Sequence, residues 1–178
     1  MKNILIFTFL LHSIISFSQR AVNKTDILKI NAEIEAEIIK LKDSLINANK
    51  YLTPNDLEFK SDVYRIENLA DKKIEIDYST AGMSKAVFEL EKGYDKLLNK
   101  YYLILSKKLK PEDREKLKIS QRNWLKFRDS ERILIGIISK DEYYGGGTIQ
   151  SNIRASSICE ITKIRVYEIK EHIDLFIE

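Results

Sequence analysis

One cysteine, two prolines and six glycines in 178 residues leave this chain few of the devices that staple or turn a small fold. The lone thiol, Cys159, cannot close an internal disulfide. In an oxidising compartment such a thiol is either buried or a route to dimers, and burial is the expectation. Scarce glycine and proline disfavour a many-turned β sandwich and favour long helices. Histidine is nearly absent: His12 lies in the first eighteen residues, which leaves His172 near the C-terminus. One Cys and one His make a nitrogen or sulfur metal site unexpected, and no cofactor is called for. No nucleophile has an adjacent base, and Asp129 and Glu131, two positions apart, point to different helix faces. The chain therefore does not read as an enzyme. It also lacks an excess of one charge: 30 Lys and Arg stand against 27 Asp and Glu, a formal +3. The two signs are interspersed, which argues against a nucleic-acid partner.

Long apolar runs are missing except at the start. Met1-Lys2 gives a short positive segment, and Ile4 to Ile15 is a mainly apolar run of about a dozen residues. Ser16-Phe17-Ser18 then puts small residues three before and directly before a cut ahead of Gln19, the pattern of signal-peptidase cleavage. A span needs roughly 20 apolar residues, and this run is shorter and interrupted by Thr8, His12 and Ser13. Residues 1–18 are thus expected to be a signal peptide, with no lipoprotein anchor because no Cys follows, and no stable membrane span after cleavage. A periplasmic or secreted location follows. The remainder, about 160 residues, suffices for a domain with a genuine core.

Periodicity in the remainder predicts an all-α fold, a bundle of long antiparallel helical hairpins. Ile27, Ile30, Ile34, Ile38, Leu41 and Leu45 recur at three and four spacings over 25–50, with Thr25 and Asp26 at the start. Thr53-Pro54 ends that segment and caps a second helix over 55–73. The alternating Ile74-Glu75-Ile76-Asp77-Tyr78 suggests a short extended connector. From Ser79, Met83, Val87, Leu90, Tyr94, Leu97, Tyr101 and Leu105 trace a third helix to about Lys108. Pro111 opens a fourth, with Glu112 and Asp113 in its first turn, where the helix dipole favours them. Leu117, Ser120, Trp124, Phe127, Leu134 and Ile138 mark its apolar stripe. Three consecutive glycines make Tyr143-Tyr144-Gly145-Gly146-Gly147 a loop, and Thr148 caps a last helix through Ile158, Ile161, Ile169 and Ile173. The organisation is a leader over 1–18, an N-terminal helical region over 19–78 and a helical domain over 79–178.

Polar residues on these stripes are the informative ones. An antiparallel hairpin at Lys110 brings Asn99 level with Gln121 and puts Asp95 within a turn of Arg128. Folding back at the glycines brings Arg165 to the same level. One interior network of Asp95, Asn99, Gln121, Arg128 and Arg165 around Trp124 is expected, in a structural role, because buried charges must be paired. The glycine run is not a phosphate cradle: it lacks GxxxxGK[ST] and no strand precedes it. Its functional reading is an aromatic contact loop in which Tyr143, Tyr144, Gly146 and Gly147 anchor a protein partner.

Three blocks occur in order: Tyr94-Asp95-Lys96-Leu97-Leu98-Asn99-Lys100-Tyr101-Tyr102; Gln121-Arg122-Asn123-Trp124-Leu125-Lys126-Phe127-Arg128-Asp129-Ser130-Glu131; and Gly146-Gly147-Thr148 followed by Thr162-x-x-Arg165. Together they resemble the LprI-like lysozyme-inhibitor domain family over about residues 79 to 172, the QxxWxxFRDxE run being the most specific part. The resemblance implies an exported binding protein whose partner is a lysozyme-type muramidase. The alternative is an envelope structural or interaction module without inhibitory or catalytic activity, whose Ile-rich first helix would pair with another helix. Members of the family carry cysteines near Ala86, at Arg132 and near Ser157. Here Cys159 is displaced by two positions, so their disulfides are absent and packing alone must hold the bundle.

Overall fold

Side-chain caps start the first three long helices. Asn23 and Thr53 each accept from the backbone N–H three residues on while Asp26 and Asp56 reach back, a reciprocal box at both sites. Ser79 accepts from the Gly82 N–H at 2.9 Å. The computed structural model describes residues 20–176, so the expected leader lies outside the described residues. Six helices result: α1 (Lys24–Ala48), α2 (Pro54–Ile76), α3 (Thr80–Lys108), α4 (Pro111–Ile138), α5 (Asp141–Tyr144) and α6 (Gln150–Asp174). The fold is all-α, and none of the described helices is long and apolar enough to cross a membrane.

Local expectations need four corrections. Asn23, not Thr25, caps α1, with Asp26 as its partner in the box at the helix start. Ile74–Ile76 is helical, not an extended connector, because Ile76 packs with Tyr64 and Leu69 against α1. Tyr143 and Tyr144 belong to the short α5 rather than to open loop, so only the glycines are irregular. Thr148 is not the cap of α6: Ile149 precedes that helix, and the Thr148 carbonyl accepts from Ser151 in the turn before it.

Cross-helix pairs give the directions. Asp62 with Tyr101 and Glu67 with Tyr94 make α2 and α3 antiparallel. Asp95 with Arg128 and Glu91 with Arg132 do the same for α3 and α4. Ser84 meets Ser151 and Glu91 meets Thr162, so α6 runs parallel to α3 and fills the space between α2, α3 and α4. The closest pairing is α3 with α6, followed by α2 with α3, α1 with α2 and α4 with α6. Gly93 helps bring α2 close: a Cβ there would lie 3.1 Å from the Ile66 Cγ2. The main core takes Phe59 and Val63 from α2, Tyr94 to Leu105 from α3, and Cys159, Val166, Ile169 and Ile173 from α6. A smaller cluster seats Ile30, Ile34 and Ile38 of α1 on α2. The Ile-rich stripe of the first helix is consumed there, within the chain.

Several polar side chains of the core are partnered across helices. The Tyr94 hydroxyl donates to Glu67 at 2.5 Å, and Lys163 reaches the same carboxylate at 2.8 Å. Lys170, almost fully buried, pairs with Asp56 at 2.5 Å and with Asp174. Burial pushes the Tyr94 and Tyr101 hydroxyls well above the usual phenol range, with their carboxylate partners adding to it.

Helix α4 departs most from the reading of the sequence. No residue on it is buried. Its packed side is Leu117, Gln121, Trp124, Leu125, Arg128 and Arg132, while Phe127, Ile133, Leu134 and Ile138 are exposed and Ser120 is at the surface. Of the Leu117–Ser120–Trp124–Phe127–Leu134–Ile138 stripe only Leu117 and Trp124 therefore face inward. The helix is rotated so that Arg128 and Arg132 meet carboxylates of α3 and Gln121 meets Arg165 of α6.

Candidate functional site

The tip between α4 and α6 is built by a helical turn closed by glycine. The Tyr143 and Tyr144 N–H groups donate to the Lys140 carbonyl, and the Gly145 N–H donates to the Asp141 carbonyl at 3.0 Å. Gly145, Gly146 and Gly147 all have positive φ, at 78°, 76° and 102°. Residues with a Cβ rarely adopt these angles, so three successive glycines are what this chain path requires. The turn leaves Tyr143 65% and Tyr144 55% exposed. Both rings are thus presented to solvent on formed backbone. The exposed apolar residues at the C-terminal end of α4 continue the surface, and Ile149 and Ile153 lie beyond the glycines.

The expected polar network is present in part, as a seam rather than an interior cluster. Asp95 receives Arg128 at 3.1 Å, and Arg128 also holds Asp129 at 3.1 Å. Asn99 is exposed and donates back to the Asp95 carbonyl at 2.9 Å. Arg165 does not reach Asp95. It donates to Gln121 at 3.2 Å, to Glu168 at 2.9 Å and to Ser120 at 3.3 Å. Trp124 stands between the two groups, its ring 5.3 Å from the Arg128 guanidinium and 5.9 Å from that of Arg165, within cation–π range of both. The Asp95 side chain keeps 44% of its surface. Water reaches the seam because α4 is held mainly by α6 and lies less closely on α3.

Sequence reasoning missed the most buried part. Glu91, 5% exposed, accepts from Arg132 and from the fully buried Thr162 hydroxyl at 3.2 Å. The Arg132 Nε is buried without a partner among the described residues. The signal was legible: Glu91 lies four after Val87, three before Tyr94 and seven before Leu98, on the inward face of α3. An open cleft of about 340 Å³ runs over this seam, lined by Glu91, Lys92, Asp95, Lys96, Arg128 and Arg132. Its acids pair with its arginines, Asp95 with Arg128 and Glu91 with Arg132, an arrangement that ties helices rather than one poised for proton transfer. Cys159 is buried beside it, and burial, with Glu91 and Glu160 nearby, pushes its thiol up to about 11. Among the described residues no group of three or more His, Cys, Asp or Glu side chains is placed to hold a metal ion.

Comparison with known proteins gives one match. The sequence profile of a family described as lysozyme inhibitor LprI matches residues 71–169, more than half of the chain. That span begins in the last turns of α2 and takes in α3, α4, the tip and most of α6, and with them the whole polar seam. No curated protein and no solved structure matches the chain.

Proposed function

This chain belongs to the lysozyme inhibitor LprI family, and from that premise we propose that it is an exported helical protein that binds and blocks a lysozyme-type muramidase. The contact is made by the tip carrying Tyr143, Tyr144, Gly146 and Gly147. The observation that carries this reading is the pair of exposed tyrosines on a turn closed by left-handed glycine. Tyrosine offers apolar area with a hydrogen-bonding end, the usual makeup of an interface anchor. A formed turn also loses less conformational freedom on binding than an open loop, which favours affinity. The seam offers no competing contact of this kind, since Glu91, Asp95, Arg128 and Arg132 already pair within the protein. The work falls on the periplasmic or secreted side of the membrane, after the leader is removed ahead of Gln19. The protein acts by occupying its partner, without a cofactor and without catalysing a reaction.

Adding the purified chain to a muramidase turning over peptidoglycan tests the reading. Inhibition is expected, and replacing Tyr143 and Tyr144 by Ala should weaken it by about thirtyfold, since truncating such anchors costs on the order of 2 kcal/mol. The melting temperature should stay within about a degree, because the rings contribute little to the core. Undiminished inhibition by the double variant would move the contact elsewhere. Absence of inhibition by the parent chain would remove the muramidase reading itself. N-terminal sequencing of the exported protein should begin at or near Gln19, and finding Met1 would overturn the leader.

A further inference from the structure

At the end of the bundle away from the tip, an open groove of about 580 Å³ runs between the end of α3, the start of α4 and the end of α6. Five apolar side chains from these three segments line it. Leu105 reaches it from the core and is 3% exposed, Leu109, Leu117 and Phe176 are half-buried, and Leu175 is 78% exposed. Sites for small molecules have volumes of about 300–1,000 Å³, with mainly apolar walls and a few polar groups that fix orientation. Here the polar groups are mostly basic. Lys116 and His172 line the groove, the Arg114 guanidinium donates to the Leu109 carbonyl at 3.0 Å, and the Lys108 ammonium lies 5.8 Å from the centre of the Phe176 ring. Lys116 enters none of the ion pairs of the described residues. Asp113 is the one acid among the described residues that line the groove.

We propose that this groove binds a single-chain amphiphile, an unbranched alkyl chain that ends in a carboxylate. The chain lies along the leucines and Phe176, and the carboxylate meets Lys116 at the rim. Apolar walls under a basic rim complement a ligand of that form, apolar along its length and anionic at one end. A peptide segment fits less well. Its backbone N–H and C=O groups would need partners, and a lining of five apolar side chains offers few, whereas an alkyl chain asks for none. The groove is concave, so it takes such chains singly, which separates this site from a face that lies on a bilayer. It shares no residue with the tip or with the polar cleft over α3 and α4.

The test is calorimetric titration of dodecanoate, below its micelle-forming concentration, into the purified chain. Saturable binding of one molecule per chain is expected, with the negative heat-capacity change that apolar burial gives. Decanoate should bind roughly tenfold more weakly, the effect of losing two methylenes from an open groove. Leu175→Glu should weaken dodecanoate at least tenfold while circular dichroism and melt stay unchanged, because that side chain is already in water. Lys116→Glu should weaken decanoate about fivefold, the scale of an exposed charge pair, and leave decanol, of the same chain length, unchanged. No saturable binding by the parent chain, or binding indifferent to Leu175→Glu, would overturn the proposal. Decanol bound as tightly as decanoate, with neither affected by Lys116→Glu, would overturn the assignment of the carboxylate. Binding that appears only after Ile177 and Glu178 are deleted would give the groove to the end of the chain itself and would likewise overturn the proposal.

Discussion

Replacing Arg132 by Ala removes the charged partner of the most buried carboxylate in the bundle. The Glu91 side chain is 7% exposed and that of Arg132 is 33% exposed. After the change the carboxylate keeps only the Thr162 hydroxyl, at 3.2 Å. Breaking a fully buried pair from one side costs about 3–5 kcal/mol. Water already reaches the arginine side, so about 2–3 kcal/mol is expected here after discounting for screening. For a domain of this size that corresponds to a fall in Tm of about 5–10 °C.

The assay is thermal and urea unfolding followed by circular dichroism, with two further variants. Replacing Glu91 and Arg132 together by Leu removes the stranded charge and should restore most of the loss, since apolar replacement of a buried pair is often neutral or better. Arg128→Ala breaks a pair whose acid, Asp95, keeps 44% of its surface, and should cost only about 1 kcal/mol. That is less than an interior location for Asp95 would give, because the carboxylate can rehydrate. An Arg132→Ala protein within about 0.5 kcal/mol of the parent, or a double variant no better than the single one, would refute the reasoning.

Two other outcomes follow from the same packing. Burial holds Cys159 protonated up to about 11, so the folded state keeps a proton that the unfolded thiol releases near about 8.5. The resulting stabilisation is full below the unfolded value and is lost as pH rises through the folded one. Stability should fall between about pH 8.5 and 11 by more in the parent than in Cys159→Ala, and a thiol reagent at pH 8 should react slowly until urea is added; rapid reaction of the folded protein would contradict burial. Trp124, the single tryptophan, is half-buried and has two guanidiniums at its ring. Iodide should quench it more than caesium at equal concentration, and Arg128→Ala should narrow the difference; equal quenching by the two ions would argue against that placement.

How far the sequence could be read is clearest in α1 and α4. Ile30, Ile34 and Ile38 of α1 are its buried residues, and they stand at the spacing the periodicity picked out. There one apolar stripe faces one neighbour, and counting apolar residues is enough. Helix α4 carries apolar residues on two sides, and periodicity cannot say which side is covered. The choice is made by partners on other helices: Glu91 and Asp95 draw Arg132 and Arg128 inward, and Gln121 follows to Arg165. Pairing across helices depends on register, which a single sequence gives only roughly. The same limit hid Lys170, whose partner Asp56 lies 114 positions away. The tip was misread for a local reason. Three glycines drew attention to the irregular backbone, while the helix signal sat just before them: Asp141 and Glu142 in a first turn and Gly145 in the left-handed closing position.

The polar attachment of α4 has a dynamic consequence. This helix is long, 28 residues, yet contributes none of the buried residues of the bundle. Leu117 and Trp124 are its apolar contacts with the main core, and ion pairs and hydrogen bonds supply much of the rest. Opening a segment costs what its buried contacts contribute, and α4 has fewer of them than α3 or α6. Its amides should exchange with deuterium through a local opening well below the global unfolding free energy, while those of Tyr94–Leu105 and Cys159–Ile173 exchange only on global unfolding. Salt at 1 M shortens the screening length to about 3 Å, which weakens Asp95–Arg128 more than the better-shielded Glu91–Arg132. Exchange should then accelerate first around Arg128 and leave α3 and α6 unchanged. Protection of α4 equal to that of α3 and α6, at low and high salt alike, would mean that the helix is held by packing this arrangement of side chains does not supply.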